Sequence, residues 1–314
     1  MGIDKKKFGR IGVLMGGPSS EREISLKSAK GVCDSLKELG LEFVPIDILT
    51  DNAEDNIRLI RSHKIDCAFI VLHGYFGEDG KIQAILEGLK IPFTCSGSKA
   101  SSLAMDKAAS HRIFAQAGLK APRFILLENK ADALEQAGNC GFSLPWVVKP
   151  VTNGSSIGLS IIDQREGLDK ALDAAFAVDS RVMIEEYISG RELTVGILGE
   201  EPMAVVEIIP KSRFFDYEAK YKSGDTEYIV PAELDEDTTR KIKACGLAAH
   251  KALGCYGCSR VDIILDRENI PYILELNNIP GLTQTSLLPK AARSQGIDFK
   301  QLCVRLLELA YEKK

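Results

Sequence analysis

Apolar and polar positions along the chain alternate between two periods. Residues 11–15 (Ile-Gly-Val-Leu-Met) form a short apolar run that ends at Gly16-Gly17-Pro18. A polar stretch follows, and then Ile24, Ala29, Val32, Leu36 and Leu39 recur at helical spacing as far as Gly40. Strand, glycine turn and helix in that order predict the opening of a parallel α/β unit. Residues 42–48 and 66–72 predict further strands, and 53–62 and 80–89 predict helices. A small open parallel sheet over about residues 1–100 is therefore expected.

The texture then changes. A helix is predicted from Met105 to about Ala117, ending at Gly118. Strands near 122–127, 145–149, 159–162 and 182–187 enclose a glycine-serine loop and a helix at 166–177, as in a compact α+β module. From about 191 a third region predicts strands at 191–198 and 203–209, an irregular polar stretch at 211–230 and a helix at 236–253. Strands at 258–265 and 271–276 and helices at 285–295 and 298–312 close the chain. The expected division is an α/β region at 1–104 and two α+β regions at 105–190 and 191–314. A length of 314 residues suits two or three domains better than one core.

Composition narrows the classes. Net charge is −4 and the pI is about 5.8, which favours neither a nucleic-acid nor a membrane surface. Lys5-Lys6-Lys7 reads as part of a solvated tail. No apolar run approaches the ~18–20 residues of a membrane span, and the first residues lack the apolar core of a signal peptide. A cytoplasmic protein is expected. The eight cysteines are scattered, and Cys67 sits inside an apolar run, so buried reduced thiols are expected. Cys255-Tyr256-Gly257-Cys258 has zinc or redox spacing, but no second ligand pair follows at a finger-like distance.

Candidate chemistry concentrates in two strand-like runs. Arg260 and Asp262 are two apart and share one strand face, as do Glu275 and Asn277 on the next strand. If the runs pair as a hairpin through Arg267-Glu268-Asn269, the two carboxylates converge. Such a pair is costly against a core but suits a hard cation such as Mg²⁺; an ordinary wet face is the alternative. Lys149 at a strand end, followed by Asn153-Gly154-Ser155-Ser156, suits phosphate, with ammonium charge and backbone N–H donors. A plain flexible hairpin loop is equally compatible with that stretch. It is not a Walker A sequence, and Gly16-Gly17-Pro18 is not the dinucleotide fingerprint, so an NAD enzyme is not supported. Glu185, Glu186 and Ile188 lie where a strand runs into a turn, a linker that can meet an adenine and ribose; a pair of solvated acidic residues at a strand end is the alternative.

Read in order, these pieces resemble the ATP-grasp superfamily and, within it, the D-alanine–D-alanine ligase family. The resemblance rests on Gly16 to Ser25, Leu72-His73-Gly74 with Gly77-Glu78-Asp79-Gly80, and Met105-Asp106-Lys107. It continues through Lys149-Pro150 with Gly154-Ser155-Ser156 and through Phe215 to Tyr221. It closes with Arg260-Val261-Asp262, Glu275-Leu276-Asn277 and Pro280 to Thr283. It covers nearly the whole chain. The implied fold is the ATP-grasp fold, an N-terminal open parallel sheet plus two α+β domains that clasp ATP.

The implied reaction phosphorylates one D-alanine carboxylate from ATP. The amine of a second D-alanine then attacks the acyl phosphate, as in peptidoglycan precursor synthesis. The family pattern assigns Asp262, Glu275 and Asn277 to two Mg²⁺ ions (Mn²⁺ being an acceptable substitute), with Glu275 bridging. It assigns Lys107, Lys149, Ser155 and Ser156 to the ATP phosphates and their loop. Glu185, Glu186 and Ile188 match the adenine contacts, and Glu192 the ribose carboxylate. Arg260 and the Gly281 N–H match the groups that stabilise the oxyanion. Glu21 matches the carboxylate holding the first substrate's ammonium, with Ser155 and Tyr221 as its hydrogen-bond partners. His73 matches a histidine beside that substrate. Lys220 and Ser286 match the holders of the second substrate's carboxylate. A homodimer through the N-terminal region is also implied.

Tyr221 stands where ester-forming relatives usually carry phenylalanine, which favours an amine nucleophile. The chain departs from the common pattern at Asn153, at Asn278-Ile279 and at Gln284-Thr285. These departures bear on the second subsite and the phosphate loop rather than on the reaction class. Two other readings stay open at this stage: an ATP-grasp ligase for other amino or hydroxy acids, and a non-catalytic nucleotide-binding regulator. The intact set Arg260, Asp262, Glu275 and Asn277 argues against the latter.

Overall fold

The computed structural model of the chain describes residues 5–210 and 226–312. Strands β1 (Ile11–Gly16), β2 (Phe43–Ile48) and β3 (Cys67–Ile70) form a parallel sheet in the order β2-β1-β3. β1 is buried almost along its length, which is why it reads as a continuous apolar run instead of an alternating one. Helix Arg22–Glu38 packs on it. Ser25 fixes the strand-to-helix turn, because its hydroxyl accepts from Gly16 N at 2.9 Å and donates to Val71 O at 2.6 Å. The core under this sheet also takes in Leu302, Leu306 and Leu309 of helix Phe299–Glu312 from the far end of the chain.

The next sheet is antiparallel. It contains β4 (Phe124–Leu127), β5 (Trp146–Pro150), β6 (Ser160–Ile162) and β7 (Val182–Glu186) in the order β4-β7-β5-β6. Helix Leu168–Phe176 covers it with Leu168, Ala171, Leu172 and Ala175. The third sheet is antiparallel too. It joins β8 (Gly190–Leu198), β9 (Glu201–Pro210), β10 (Thr226–Ile229), β11 (Cys258–Asp266) and β12 (Pro271–Asn277) in the order β10-β9-β8-β11-β12. Helix Glu236–Ala252 backs it, capped by Asp235, which accepts from Thr238 N at 2.8 Å.

Several elements differ from the sequence reading. The helix expected from Met105 to about Ala117 forms as Lys107–Gln116, and a separate helix that the sequence reading did not include, Ser98–Met105, precedes it. Asp106 breaks them because it adopts extended backbone and caps the second, accepting from Ala109 N at 2.8 Å. A short helix, Ala133–Gly138, was not anticipated. The stretch read as irregular at 211–230 contains β10, and its residues 211–225 lie outside the described part.

The β11–β12 hairpin forms as the alternation predicts. Arg260 pairs with Asn277 and Asp262 with Glu275 across the ladder. The register shifts just after, so that Ile263 faces Ile273 and Leu274 is an extra residue on β12. This bulge sends Ile273 into the core while Leu274 lines a cavity.

Candidate active site

Two cavities open along the β11–β12 face. The first, of about 460 Å³, lies between the two antiparallel sheets. Val147, Ile161, Ile208, Ile264 and Leu274 give it apolar walls, and Lys107, Lys149, Ser156, Glu185, Glu186, Ile188, Glu192, Asp262 and Glu275 line it. The second, of about 400 Å³, is lined by Glu21, His73, Ser155, Arg260, Asn277, Gly281 and Ser286, again with Lys107 and Glu275. Every described residue that the family resemblance assigns to the site therefore lines one cavity or the other. Lys220 and Tyr221 lie outside the described residues.

Charged groups of the first cavity are paired. Lys149 Nζ is 2.8 Å from Glu185 Oε2, and both side chains are buried. A buried pair of this kind holds only while both partners stay. Glu185 Oε1 has no hydrogen-bond partner, and His111 Nδ1, 3.6 Å away, has none either. His111 Nε2 meets Leu274 O at 2.9 Å, so the ring donates there and burial keeps its pKa below the ordinary imidazole value. Glu186 is held at the rim by a two-pronged contact from Arg123, at 2.8 Å to each oxygen, which lowers its pKa.

The hairpin supplies the oxygen donors. Arg260 donates from Nε and a terminal nitrogen to Asp262 at 2.9 and 2.7 Å, and the Thr194 hydroxyl lies 2.7 Å from Asp262 Oδ1. Glu275 Oε2 is 3.5 Å from Lys107 Nζ, which also donates to Asn153 O at 2.8 Å. Ser155 and Ser156 both adopt left-handed backbone, φ 55° and 57°. Successive residues bent this way turn backbone N–H groups toward a common concavity that suits an anion.

In the second cavity the Ser155 hydroxyl donates to Glu21 Oε1. Gly74 sits against the same carboxylate at φ 67°, and a Cβ there would come within 2.5 Å of Glu21 Oε2. His73 Nδ1 is 3.2 Å from Glu78 Oε1, and its Nε2 is buried without a hydrogen-bond partner. Ser286 Oγ accepts from Thr283 N at 3.1 Å, and a Cβ on Gly281 would meet it at 3.0 Å.

Sequence reasoning missed His111 and Thr194, since nothing local to either points to Glu185 or Asp262. Glu78 was visible in its motif but had no role. Away from both cavities, Cys258 Sγ lies 3.4 Å from Cys95 Sγ in the core, and burial pushes the Cys255 thiol up to about 12. Among the described residues no group of three or more His, Cys, Asp or Glu side chains is arranged for a metal. The hairpin set is two carboxylates and one amide.

The chain matches one enzyme family over most of its length. Residues 113–308 match the sequence family described as D-ala D-ala ligase C-terminus, and residues 49–96 match D-ala D-ala ligase N-terminus. The chain is 45% identical over 312 residues to the D-alanine–D-alanine ligase of Pelotomaculum thermopropionicum, covering 96% of this chain and 97% of that one. The crystal structure of the Bacillus anthracis D-alanine–D-alanine ligase superposes with a TM-score of 0.84 at 36% identity, covering 97% of this chain and 98% of that one. Its complex with ATP gives 0.83 at 33%, with the same coverage. The VanG D-Ala:D-Ser ligase of Enterococcus faecalis gives 0.83 at 30%, covering 96% and 99%.

Proposed function

The chain belongs to the D-alanine–D-alanine ligase family, and from that premise we propose that it joins two D-alanine molecules at the expense of ATP, for peptidoglycan precursor synthesis. The observation that carries this reading is the shared wall. Lys107 and Glu275 line both cavities and lie 3.5 Å apart. A nucleotide in the first cavity and an amino acid in the second meet there. The reading includes the three-part division at 104 and 190, with the substrates bound where the parts meet.

The nucleotide base lies among the apolar walls, with Glu185 and the linker through Glu186 and Ile188 at its edge and Glu192 at the ribose. Unpartnered Glu185 Oε1 suits an amino-group donor. Lys107, Lys149, Ser156 and the turn at Ser155 hold the phosphates. Asp262, Glu275 and Asn277 fit Mg²⁺, because the hairpin ladder sets three hard-oxygen side chains on one face. When bound, two Mg²⁺ would neutralise charge on the transferring phosphoryl group.

Glu21, with Ser155 and Tyr221, holds the ammonium of the first D-alanine, and His73 lies beside it. Its carboxylate oxygen attacks the γ-phosphorus and ADP leaves. The amine of the second D-alanine, held through its carboxylate by Lys220 and Ser286, attacks the acyl carbon. Arg260 and the Gly281 N–H stabilise the resulting oxyanion. The amine loses a proton, the C–O bond to phosphate breaks, and the dipeptide and phosphate remain.

Among the described residues no helix is long and apolar enough to cross a membrane. Eight free cysteines, most of them buried, support a cytoplasmic location. A homodimer is part of the reading on the family resemblance. The test is phosphate release with ATP and Mg²⁺, comparing D-alanine alone with D-alanine plus D-serine or D-lactate. D-alanine alone should suffice, and Tyr221→Phe should raise D-lactate use at neutral pH. No phosphate release with D-alanine would refute the ligase reading. Unchanged selectivity in Tyr221→Phe would refute the assignment of acceptor choice to that hydroxyl.

A further inference from the structure

The end of β12 is pinned on two sides. Asn277 Oδ1 accepts the Ile279 N–H at 3.0 Å. The next side chain, Asn278, is 2% exposed, and its Nδ2 donates to Ser101 Oγ at 2.7 Å and to Glu78 O at 3.2 Å. An amide nitrogen carries two hydrogens, so both bonds can be made together. The two acceptors come from separate segments: Ser101 from helix Ser98–Met105 and Glu78 from the loop after β3.

Glu78 connects this anchor to the second cavity. Its backbone N–H donates to Gly74 O at 2.8 Å, and its carboxylate stands 3.2 Å from His73 Nδ1. His73 Nε2, buried and without a hydrogen-bond partner, belongs to a ring that lines the cavity. The path Asn278, Glu78, His73 thus runs from the strand bearing Glu275 and Asn277 to the opposite wall of the same cavity. A threonine at this position would have a single donor on a shorter side chain and could not make both bonds.

We propose that Asn278 is a positioning residue for the first amino-acid substrate: it fixes the span between β12 and the His73–Glu78 wall. The proposal rests on the reading that the second cavity takes D-alanine. Asn278 lines that cavity but not the nucleotide cavity. Loosening it should therefore weaken amino-acid binding and leave ATP binding alone. A merely structural role would lower stability and disturb both substrates together.

Steady-state kinetics of the full chain, wild type against Asn278→Ala, Asn278→Thr and Ser101→Ala, separates these outcomes, with melting temperatures measured alongside. In Asn278→Ala the KM for D-alanine should rise about tenfold, a misplacement effect of modest size. KM for ATP and kcat should stay within about twofold of wild type, and the other two variants should show the same split at about threefold. If Asn278→Ala does not fold, Ser101→Ala decides. An unmoved KM for D-alanine, or parallel changes in both KM values, overturns the proposal while leaving the ligase reading intact. A wild-type chain with no D-alanine-dependent phosphate release overturns the ligase reading and this inference with it.

Discussion

The nucleotide-sized cavity lies between two antiparallel sheets, and its charged side chains are partnered along or across strands: Lys149 with Glu185, Arg123 with Glu186, Arg191 with Glu207. The neighbouring cavity lies where loops from three parts of the chain meet, and close backbone approach shapes it, as where Gly74 lies against Glu21. A sheet-built site inherits its geometry from the hydrogen-bond ladder. A loop-built site depends on a few side chains that tie the loops together. The first should withstand loss of a rim contact and suffer from loss of a buried charge. The second should change its affinity when a tie is cut.

The largest effect should come where the cavities join. Glu275→Gln keeps the volume but removes the charge facing Lys107, and phosphate release should fall by about 10²–10³-fold. The melting temperature should stay within about 3 °C, since Glu275 is not in the core. Near-normal turnover would break the idea of a single reacting point shared by both cavities.

Next is the contrast within the first cavity. Lys149→Met leaves Glu185 buried and unpaired, and urea unfolding should show a loss of about 3–5 kcal/mol. Arg123→Ala, at the exposed rim, should leave the melting temperature within about 2 °C. Equal losses in the two variants would show that burial does not set the hierarchy.

The smallest effect is a slope. Burial holds the folded-state pKa of His111 below its ordinary value, despite Glu185 nearby. As pH falls below about 6.5, the unfolded chain takes up a proton that the folded chain refuses. Stability should therefore drop with falling pH by at most about 1.4 kcal/mol per unit from this residue, until the folded ring titrates. His111→Gln should flatten the profile measured by urea unfolding between pH 7 and 5. An identical profile would mean that the ring is not held neutral.

The same contrast explains what could be read from sequence. Arg260 with Asp262 and Glu275 with Asn277 were legible because strands alternate at period two, so a shared face follows from spacing alone. The bulge was not, because Ile273 and Leu276, the buried pair in β12, are three apart and break that period. Helix Ser98–Met105 was missed because neither Gly nor Pro marks its end, although Asp106 is itself a strong cap for the helix that follows. The second cavity had no local signature. Glu21, His73, Ser155 and Ser286 share no periodic element, and only the family resemblance grouped them. Asn278 stood out as a departure from the pattern, but its partners at Glu78 and Ser101 needed the fold to appear.

The bulge also says something about how this hairpin can change over generations. Length can vary at the exposed turn Arg267-Glu268-Asn269 without touching the ladder. A single insertion between Glu275 and Asn277 would turn one of them toward the core, and selection would remove it. Loss of Leu274 is different: Glu275 would still face Asp262 and Ile273 would still face Ile263. What would vanish is a piece of cavity wall and the carbonyl that receives His111. Leu274 therefore marks a place where a lineage can gain or shed a residue and retune its nucleotide pocket while both carboxylates stay in register.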